Sequence, residues 1–177
     1  MKNLLVVLLK YAVVALIGMG LLASGVSAAE AKGSIMLWDA IENKSVELVL
    51  VEKTKEQWEQ QLAPEVFRIM RKQGTERSFT GKYDGHKGDG VYVCAACGTH
   101  LFDSVDKYDS GTGWPSYYKP VNEMNVGTRV DKSFFSVRTE VHCARCGGHL
   151  GHIFEDGPPP TGLRYCINSA AMEFISR

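Results

Sequence analysis

The hydrophobic positions of the chain follow different patterns in different regions. From Leu4 to Leu22 almost every side chain is uncharged and apolar, with Lys10 as the charged interruption, and small residues follow from Ala23 to Ala29. A basic start, an apolar middle and a small-residue end are typical of a secretory signal peptide. We therefore predict that residues 1–29 are a signal peptide, or an N-terminal membrane anchor if they are not removed.

Residues 30–53 form a lead-in segment between this apolar N-terminus and the main body. Its apolar stretch, Val46–Val51, predicts a strand. Thr54 and Gln57 then match a capping box, in which each side chain hydrogen-bonds to the backbone of the other residue at the start of a helix. We therefore predict a short helix from Lys55 to Leu62.

A second short helix is predicted directly afterwards. Pro64 suits its first position, where a missing backbone N–H has no cost. Gly74 is predicted to end it, because glycine is common just beyond the last helical residue. The apolar face of this helix, recognised by its helical spacing, comprises Val66, Phe67, Ile69 and Met70.

The pattern changes beyond Gly74, where glycine becomes frequent and the apolar stretches shorten. Residues 137–142 alternate between valine or threonine and a charged residue or histidine, and this period of two predicts a half-buried strand. Turn-forming residues such as those at 156–162 separate the apolar stretches. The body, residues 54–177, should therefore be mainly β, with antiparallel strands and with helices confined to its start. The further strand candidates are Val91–Val93, His149–Phe154, Leu163–Asn168 and Met172–Ile175.

Composition and charge narrow the class of protein. Of the 177 residues, 45% are hydrophobic and 23% are charged, which is typical of one globular domain of ordinary size. Twenty basic and 20 acidic residues give a net charge of zero, without any long run of one sign. Nucleic acid and anionic surfaces are therefore not indicated as partners, and a membrane would be contacted only through the N-terminal segment.

Four of the five cysteines occur in a duplicated motif. Cys94 and Cys97, and again Cys143 and Cys146, lie in the pattern Cys-Ala-x-Cys-Gly-x-His-Leu. The glycine permits a tight turn with positive φ, and two such turns supply the four sulfur ligands of a structural zinc site. We therefore predict one structural Zn²⁺ bound by these four cysteines.

Two other states of the four cysteines remain open. An oxidising compartment favours disulfides, and four cysteines can form two of them. A redox-active Cys-x-x-Cys pair is the second alternative, although such a pair usually opens a helix after a strand, whereas glycine follows here. A doubled motif suits one shared ion better than two separate redox pairs.

The fifth cysteine, Cys166, is left as a single thiol. In a strand, the side chains of Arg164, Cys166 and Asn168 point to the same face. A nearby arginine lowers the pKa of a thiol and increases its thiolate fraction, and the amide of Asn168 can hydrogen-bond to a ligand. Cys166 is therefore a candidate nucleophile. The alternative is a buried cysteine that packs as a small hydrophobic residue.

Two further clusters carry candidate chemistry. His149 and His152 adjoin the second cysteine motif, and imidazoles transfer protons near neutral pH. The alternatives are structural or surface histidines, or a second metal site completed by a carboxylate.

Trp114 lies in the loop Ser110–Tyr118, where glycines allow bends and Pro115 restricts the backbone. Its ring can form the wall of a binding pocket, or fill the core beneath the loop.

Seven short segments of the chain form a specific series: Gly74–Arg77, Phe79–Gly81, Val91–Cys94, Ser110–Ser116, Arg138–Val141, His149–Phe154 and Arg164–Ser169. Together they resemble the type-B methionine sulfoxide reductases, a family specific for methionine-R-sulfoxide. The resemblance extends from about Lys55 to Phe174, and the N-terminal 54 residues lie outside it.

This resemblance implies a β-tent fold, in which two antiparallel sheets meet at an angle. It implies structural zinc at the four paired cysteines and Cys166 as the catalytic nucleophile. Trp114 would form the wall for the S-methyl group of the substrate. Arg164 is predicted to be a second substrate-binding residue because of its position beside Cys166 on the strand. The residues that would orient and polarise the sulfoxide oxygen are His149, His152 and Asn168.

The implied reaction begins with attack of the Cys166 thiolate on the sulfoxide sulfur and leaves a sulfenic acid on Cys166. Many members of the family carry a resolving cysteine at the position occupied here by Thr112. Because the other four cysteines are assigned to zinc, we expect an external thiol, such as that of a thioredoxin-like domain, to reduce the sulfenic acid. Together with the signal peptide, this implies a periplasmic or secreted enzyme that repairs oxidised exported proteins.

A non-catalytic, zinc-stabilised module that binds oxidised methionine is the alternative function. The complete set of Trp114, Cys166, Asn168 and the two histidines favours an enzyme. A zinc hydrolase that uses His149 and His152 is excluded, because four thiolate ligands leave the ion no open position.

Overall fold

The computed structural model describes residues 33–132 and 137–177. The predicted signal peptide, residues 1–29, lies outside these ranges. Within them, no helix has the length and hydrophobicity needed to cross a bilayer. The division between lead-in and body at residue 54 remains a prediction.

The described chain begins with a hairpin. Strands β1 (Ser34–Asp39) and β2 (Lys44–Val49) pair antiparallel, and β2 corresponds to the strand predicted at Val46–Val51. Asn43 in the connecting turn takes φ 51°, a left-handed conformation that asparagine tolerates better than most residues. Leu37 of β1 is only 1% exposed, so the hairpin is anchored to the rest of the protein by an apolar side chain.

Both predicted helices are present. α1 (Lys55–Gln61) opens with the predicted capping box. The N–H of Gln57 donates to Thr54 Oγ1 (3.3 Å), and the N–H of Thr54 donates to Gln57 Oε1 (2.9 Å). α2 (Pro64–Lys72) has proline at its first position, as the sequence predicted.

The end of α2 differs from the prediction by one residue. Gln73, and not Gly74, takes the left-handed conformation (φ 53°), and its N–H donates to the carbonyl of Arg68. Glycine is needed at position 74 for another reason, because a Cβ there would lie 2.9 Å from the Arg68 carbonyl oxygen. The left-handed Gln73 brings its side-chain amide 3.4 Å from Glu140, a long-range contact that helical periodicity does not reveal.

The remaining strands form two antiparallel sheets. The smaller sheet contains β3 (Gly90–Cys94), β4 (His100–Asp103) and β11 (Met172–Ser176) in the order β11–β3–β4. The larger contains β5 (Lys107–Tyr108), β6 (Ser116–Tyr117), β7 (Val126–Asp131), β8 (Arg138–Cys143), β9 (His149–Phe154) and β10 (Arg164–Ile167). Its order is β5–β6–β10–β9–β8–β7. Short 3₁₀ helices occur at Ser104–Asp106, Glu123–Asn125 and Ser169–Ala171. The predicted mainly β fold with two antiparallel sheets is confirmed, and the hairpin is a separate pair.

The core combines side chains from both sheets and from α2. Tyr92 and Phe102 of the smaller sheet and Tyr117 of the larger are each 0% exposed. Phe102 and Tyr117 stack with 4.4 Å between ring centroids. Burial raises the pKa of Tyr117 well above its ordinary value, so its hydroxyl stays neutral. α2 contributes Phe67, Ile69 and Met70 to the same cluster.

β8 confirms the strand predicted from the period of two, but it is not half-buried. Val141 is 0% exposed, and Glu140 is 2% exposed although it is charged. Successive strand residues point to opposite faces, so both faces are covered at these two positions, although Thr139 is exposed. The polar face is covered because it lines the candidate site, where Glu140 contacts Arg129 and His149.

Candidate active site

The four paired cysteines meet at one point. Their sulfur atoms lie within 4.8 Å of one another, with 3.7 Å between Cys94 and Cys146 and 3.5 Å between Cys97 and Cys143. Tetrahedral zinc with zinc–sulfur bonds of about 2.3 Å needs sulfur–sulfur edges of about 3.8 Å, whereas a disulfide needs about 2.05 Å. The cysteines are free, and their arrangement fits a metal ion such as zinc and not two disulfides.

The two cysteine turns have the same geometry. Gly98 and Gly147 take φ of 74° and 66°, and each donates its N–H to the carbonyl of Cys94 or Cys143 at 2.8 Å. The first turn joins β3 to β4, and the second joins β8 to β9. The four-cysteine cluster therefore links the smaller sheet to the larger one. A ligand set of four thiolates leaves no open position for a substrate, so a bound ion would act on folding and not on the reaction.

The N-terminal hairpin braces this region through contacts that sequence patterns did not predict. Asn125 is 0% exposed, and its side chain both donates to the carbonyl of Trp38 (2.8 Å) and accepts from the N–H of Trp38 (2.7 Å). Arg145, in the second cysteine turn, donates to the carbonyls of Val49 (3.0 Å) and Cys97 (3.1 Å). One guanidinium therefore connects the hairpin with both cysteine turns.

Strand pairing places Cys166 between two chemically different neighbours. On β10, Cys166 lies opposite His152 of β9 on one side and opposite Ser116 of β6 on the other. Directly opposed residues share a face of the sheet, with Cβ atoms about 5 Å apart. The same register continues outward, so that one face carries a row formed by Tyr108, Ser116, Cys166, His152, Glu140 and Arg129.

A cleft of about 110 Å³ opens beside Cys166. Trp114, His152 and Asn168 line it, so four of the predicted site residues meet there. The indole N–H of Trp114 donates to the carbonyl of Glu76 at 3.1 Å, which fixes the ring as one wall. A larger cavity of about 420 Å³, near residues 84–89 and 104–109, contains none of the predicted site residues.

Arg164 flanks Cys166, but its guanidinium is held by another residue. It donates two hydrogen bonds to the carboxylate of Asp156 (2.7 and 2.8 Å) and lies 4.4 Å from the ring centroid of Phe154. Burial raises the pKa of Cys166, and the charge of Arg164 and the hydroxyl of Thr112 oppose it only in part. Arg164 therefore lowers the pKa of the thiol as predicted, but burial has the larger effect, so the pKa lies above its ordinary value and the thiol form predominates at neutral pH.

The amide of Asn168 is largely occupied by backbone groups. Its Oδ1 accepts from the N–H of Glu76 (3.0 Å), and its Nδ2 donates to the carbonyl of Leu150 (2.9 Å). The Nδ2 amide group has two hydrogens, and the one that does not bond to Leu150 can donate to a ligand. Glu76, which had no predicted role, also accepts from the N–H groups of Ser169 (2.6 Å) and Ala170 (3.0 Å). Its buried carboxylate thus anchors the chain directly after Asn168.

Each of the two histidines is paired with a carboxylate. Nε2 of His152 lies 2.9 Å from Asp131, and Nδ1 of His149 lies 2.8 Å from Glu140. The ring centroids are 5.3 Å apart. Burial lowers the pKa of His149, and the hydrogen bond and charge of Glu140 oppose this in part. Both rings line a cavity of about 260 Å³ next to the Cys166 cleft.

These pairings do not support the alternative in which the two histidines form a second metal site. Within the described ranges, the four-cysteine cluster is the only group of three or more histidine, cysteine or acidic residues arranged to hold an ion. The structure thus brings Cys166, Trp114, His152 and Asn168 together at one cleft. His149 and Arg164 flank this cleft.

Comparison with known proteins relates these features to a family. A family model described as a SelR domain matches residues 62–176. A relative named peptide methionine sulfoxide reductase MsrB, from Thiobacillus denitrificans, is 59% identical over 122 residues, which is 69% of this chain and 92% of the relative. Proteins of the same name from Acinetobacter baylyi and Leptospira interrogans are each 55% identical, covering 68% and 70% of this chain and 87% and 95% of the relatives. The chain therefore belongs to the MsrB family of peptide methionine sulfoxide reductases, as its sequence motifs predicted.

Proposed function

We propose that this protein is an enzyme that reduces methionine-R-sulfoxide in peptides to methionine, with Cys166 as its nucleophile. The observation that carries the proposal is the position of Cys166 at a small cleft between a fixed tryptophan and a histidine paired with a carboxylate. Membership of the MsrB family supports the substrate class.

The cleft suits the side chain of oxidised methionine. Trp114 and Phe154 give it apolar walls for the S-methyl group and the methylene groups. His152 and the remaining amide hydrogen of Asn168 can donate to the sulfoxide oxygen. These contacts would hold the sulfoxide sulfur next to the Cys166 sulfur.

The proposed reaction transfers the sulfoxide oxygen to Cys166. The thiolate attacks the substrate sulfur, and a proton from a histidine neutralises the oxygen. The oxygen then moves to the Cys166 sulfur: its bond to the substrate sulfur and the bond between the two sulfurs break, a bond to the Cys166 sulfur forms, and Cys166 is left as a sulfenic acid. The substrate sulfur gains two electrons and leaves as methionine, while the Cys166 sulfur loses two. The thiol proton replaces the one that the histidine gave.

An external dithiol would complete the cycle. Thr112 occupies the position of the resolving cysteine found in many family members, and the other four cysteines are gathered in the metal cluster. One external thiol would form a mixed disulfide with Cys166 and release water, and the second would free Cys166. A thioredoxin-like protein supplies such a pair of thiols.

We further propose that the protein acts on oxidised exported proteins, in the periplasm or after secretion. The support is the basic, apolar and small-residue pattern of residues 1–29. If this segment is not cleaved, it would anchor the enzyme to the membrane. Mass spectrometry of the mature N-terminus would show whether the segment is cleaved or retained as an anchor.

The first prediction concerns the epimers of the substrate. Incubated with dithiothreitol and a methionine sulfoxide peptide, the protein should reduce the R epimer at least about a hundredfold faster than the S epimer. Fixed positions for the methyl group, the oxygen and the attacking sulfur accept only one configuration at the sulfoxide sulfur. Chromatographic separation of the products measures both rates. Absence of R-epimer reduction would contradict the proposal, and binding without reduction would indicate the non-catalytic module.

The second prediction introduces the resolving cysteine that this chain lacks. The Thr112 hydroxyl lies close enough to the Cys166 thiol to lower its pKa, so a thiol at that position lies within reach of a sulfenic acid on Cys166. After one turnover of Thr112→Cys without reductant, we expect a disulfide between residues 112 and 166, detected by peptide mapping under non-reducing conditions. Thr128→Cys is the matched control, because Thr128 is exposed on β7. Two intact thiols in Thr112→Cys after turnover would argue against a sulfenic acid at Cys166.

A further inference from the structure

Glu140 is a buried carboxylate to which the proposed chemistry gives no role. It lies on β8, only 2% exposed, opposite His152 and Arg129 in the strand register. An ionised carboxylate inside a protein is costly unless partners compensate its charge. The nature of those partners therefore indicates what Glu140 does.

Three side chains surround the carboxylate of Glu140. Arg129 donates to both oxygens (2.5 and 2.8 Å), His149 bonds to Oε1 (2.8 Å), and Gln73 lies 3.4 Å from Oε2. Burial by itself would raise the pKa of Glu140, but the contacts from Arg129 and His149 outweigh it and hold the pKa below its ordinary value. Glu140 is therefore ionised at neutral pH. The side chain of Arg129 is 48% exposed, so the positive charge that compensates Glu140 lies at the solvent-facing edge of the site.

An ionised carboxylate determines the protonation of His149. It only accepts hydrogen bonds, so the ring nitrogen facing it, Nδ1, must carry a hydrogen. The other nitrogen, Nε2, is buried and has no hydrogen-bond partner among the residues that the structure describes. It belongs to a ring that lines the 260 Å³ cavity, and this cavity shares His152, Thr75 and Arg138 with the Cys166 cleft. Nε2 is therefore the atom of His149 that is available to take up and release a proton beside the substrate.

We propose that Glu140 is a positioning residue that keeps His149 in its Nδ1–H form and stabilises its protonated state. His149 then donates from Nε2 to the sulfoxide oxygen, while Arg129 compensates the charge of Glu140. The inference rests on the proposed function, and it gives a role to Glu140 on β8, whereas both histidines lie on β9. It also gives the two histidines separate supports, Glu140 for His149 and Asp131 for His152.

The sign of the pH effect follows from the surroundings of His149. Burial lowers its pKa, and Glu140 partly restores it. Replacing the charge of Glu140 by a neutral amide should lower the pKa further, so that the protonated ring is lost at a lower pH. The other ionisable or charged groups around the same cavity are His152 on β9, Asp131 on β7, Arg138 on β8 and Lys72 on α2. The charges of His152 and of Arg129, which is bound to Glu140, lower the pKa of His149.

The first test measures the ring directly. In the ¹H–¹⁵N correlation spectrum of the imidazoles of the full-length, metal-loaded protein, neutral His149 should carry its hydrogen on Nδ1, with the signals assigned by loss in His149→Gln. Free histidine prefers the opposite tautomer, so the shift pattern is diagnostic. A hydrogen on Nε2 of neutral His149 would overturn the inference whether or not the protein reduces sulfoxides.

The second test measures catalysis. In Glu140→Gln, kcat for the R-sulfoxide peptide should fall roughly 10- to 100-fold with little change in KM, and the fall in rate at high pH should begin at a lower pH. Arg129→Gln should shift the profile by less and in the opposite direction, to higher pH, because the charge of Arg129 lowers the pKa of His149. Glu173→Gln is the matched control, since Glu173 is an exposed carboxylate on β11 of the smaller sheet, paired with Lys82.

The outcomes separate this inference from the proposed function. An active wild type together with a folded Glu140→Gln of unchanged kcat and pH profile would overturn the role of Glu140 alone. An inactive wild type would instead contradict the proposed function, and the tautomer measurement would still decide whether Glu140 positions His149. If Glu140→Gln fails to fold, Arg129→Gln and the wild-type spectrum carry the test.

Discussion

Cys166→Ser is expected to abolish sulfoxide reduction, with a loss of at least about a thousandfold in kcat/KM. A serine hydroxyl is close in size to a thiol, but its far higher pKa leaves almost no anionic nucleophile at neutral pH. Cys166 lies outside the four-cysteine cluster, so the variant should retain its metal content and its unfolding temperature. Turnover is measured by chromatography of the peptide products and metal content by mass spectrometry.

The same variant also distinguishes a catalytic from a packing role for Cys166. A merely structural cysteine would give a destabilised but active protein, whereas we expect a stable and inactive one. Turnover near the wild-type rate in a folded Cys166→Ser protein would sink the nucleophile assignment. Retained binding of the oxidised peptide in the inactive variant would add that the cleft itself is intact.

Cys94→Ser should have the opposite pattern of effects. Cys94 is 2% exposed and belongs to the cluster that joins the two sheets. Binding of structural zinc contributes about 10–16 kcal/mol to the folding of small zinc domains, so loss of one of four ligands should release the ion and lower the unfolding temperature by about 10 °C or more. The measurements are thermal unfolding and transfer of the ion to a coloured chelator.

The two cysteine variants control each other. Cys166→Ser should keep the metal and lose activity, and Cys94→Ser should lose the metal together with stability. One equivalent of tightly bound metal and a wild-type unfolding temperature in Cys94→Ser would show that the cluster is not a structural metal site.

The parts of the fold that were predicted correctly depend on nearby residues. The capping box at Thr54 and Gln57 is confirmed because both of its hydrogen bonds join residues three apart. The two cysteine turns were recognisable because a glycine with positive φ follows each pair directly. Local rules of this kind apply before any distant part of the chain is considered.

The supports of the site were not predicted, because they join residues far apart in the sequence. Glu76 anchors the backbone at Ser169 and Ala170, more than 90 positions away. Asn125 holds the hairpin at Trp38 across 87 positions. In each case the side chain is an ordinary polar residue in the sequence, and only its burial and its partner reveal its role.

The sequence by itself determined the residue types of the chemistry: four cysteines spaced for a metal, one cysteine left single, and the histidines and tryptophan that accompany it. Only the tertiary structure decided how they act on one another. Strand register places Cys166 between His152 and Ser116, and burial outweighs Arg164 in setting the thiol pKa. The physical reason is that spacing and side-chain chemistry are local properties, whereas register, desolvation and the pairing of Glu140 with His149 arise only when distant strands pack together.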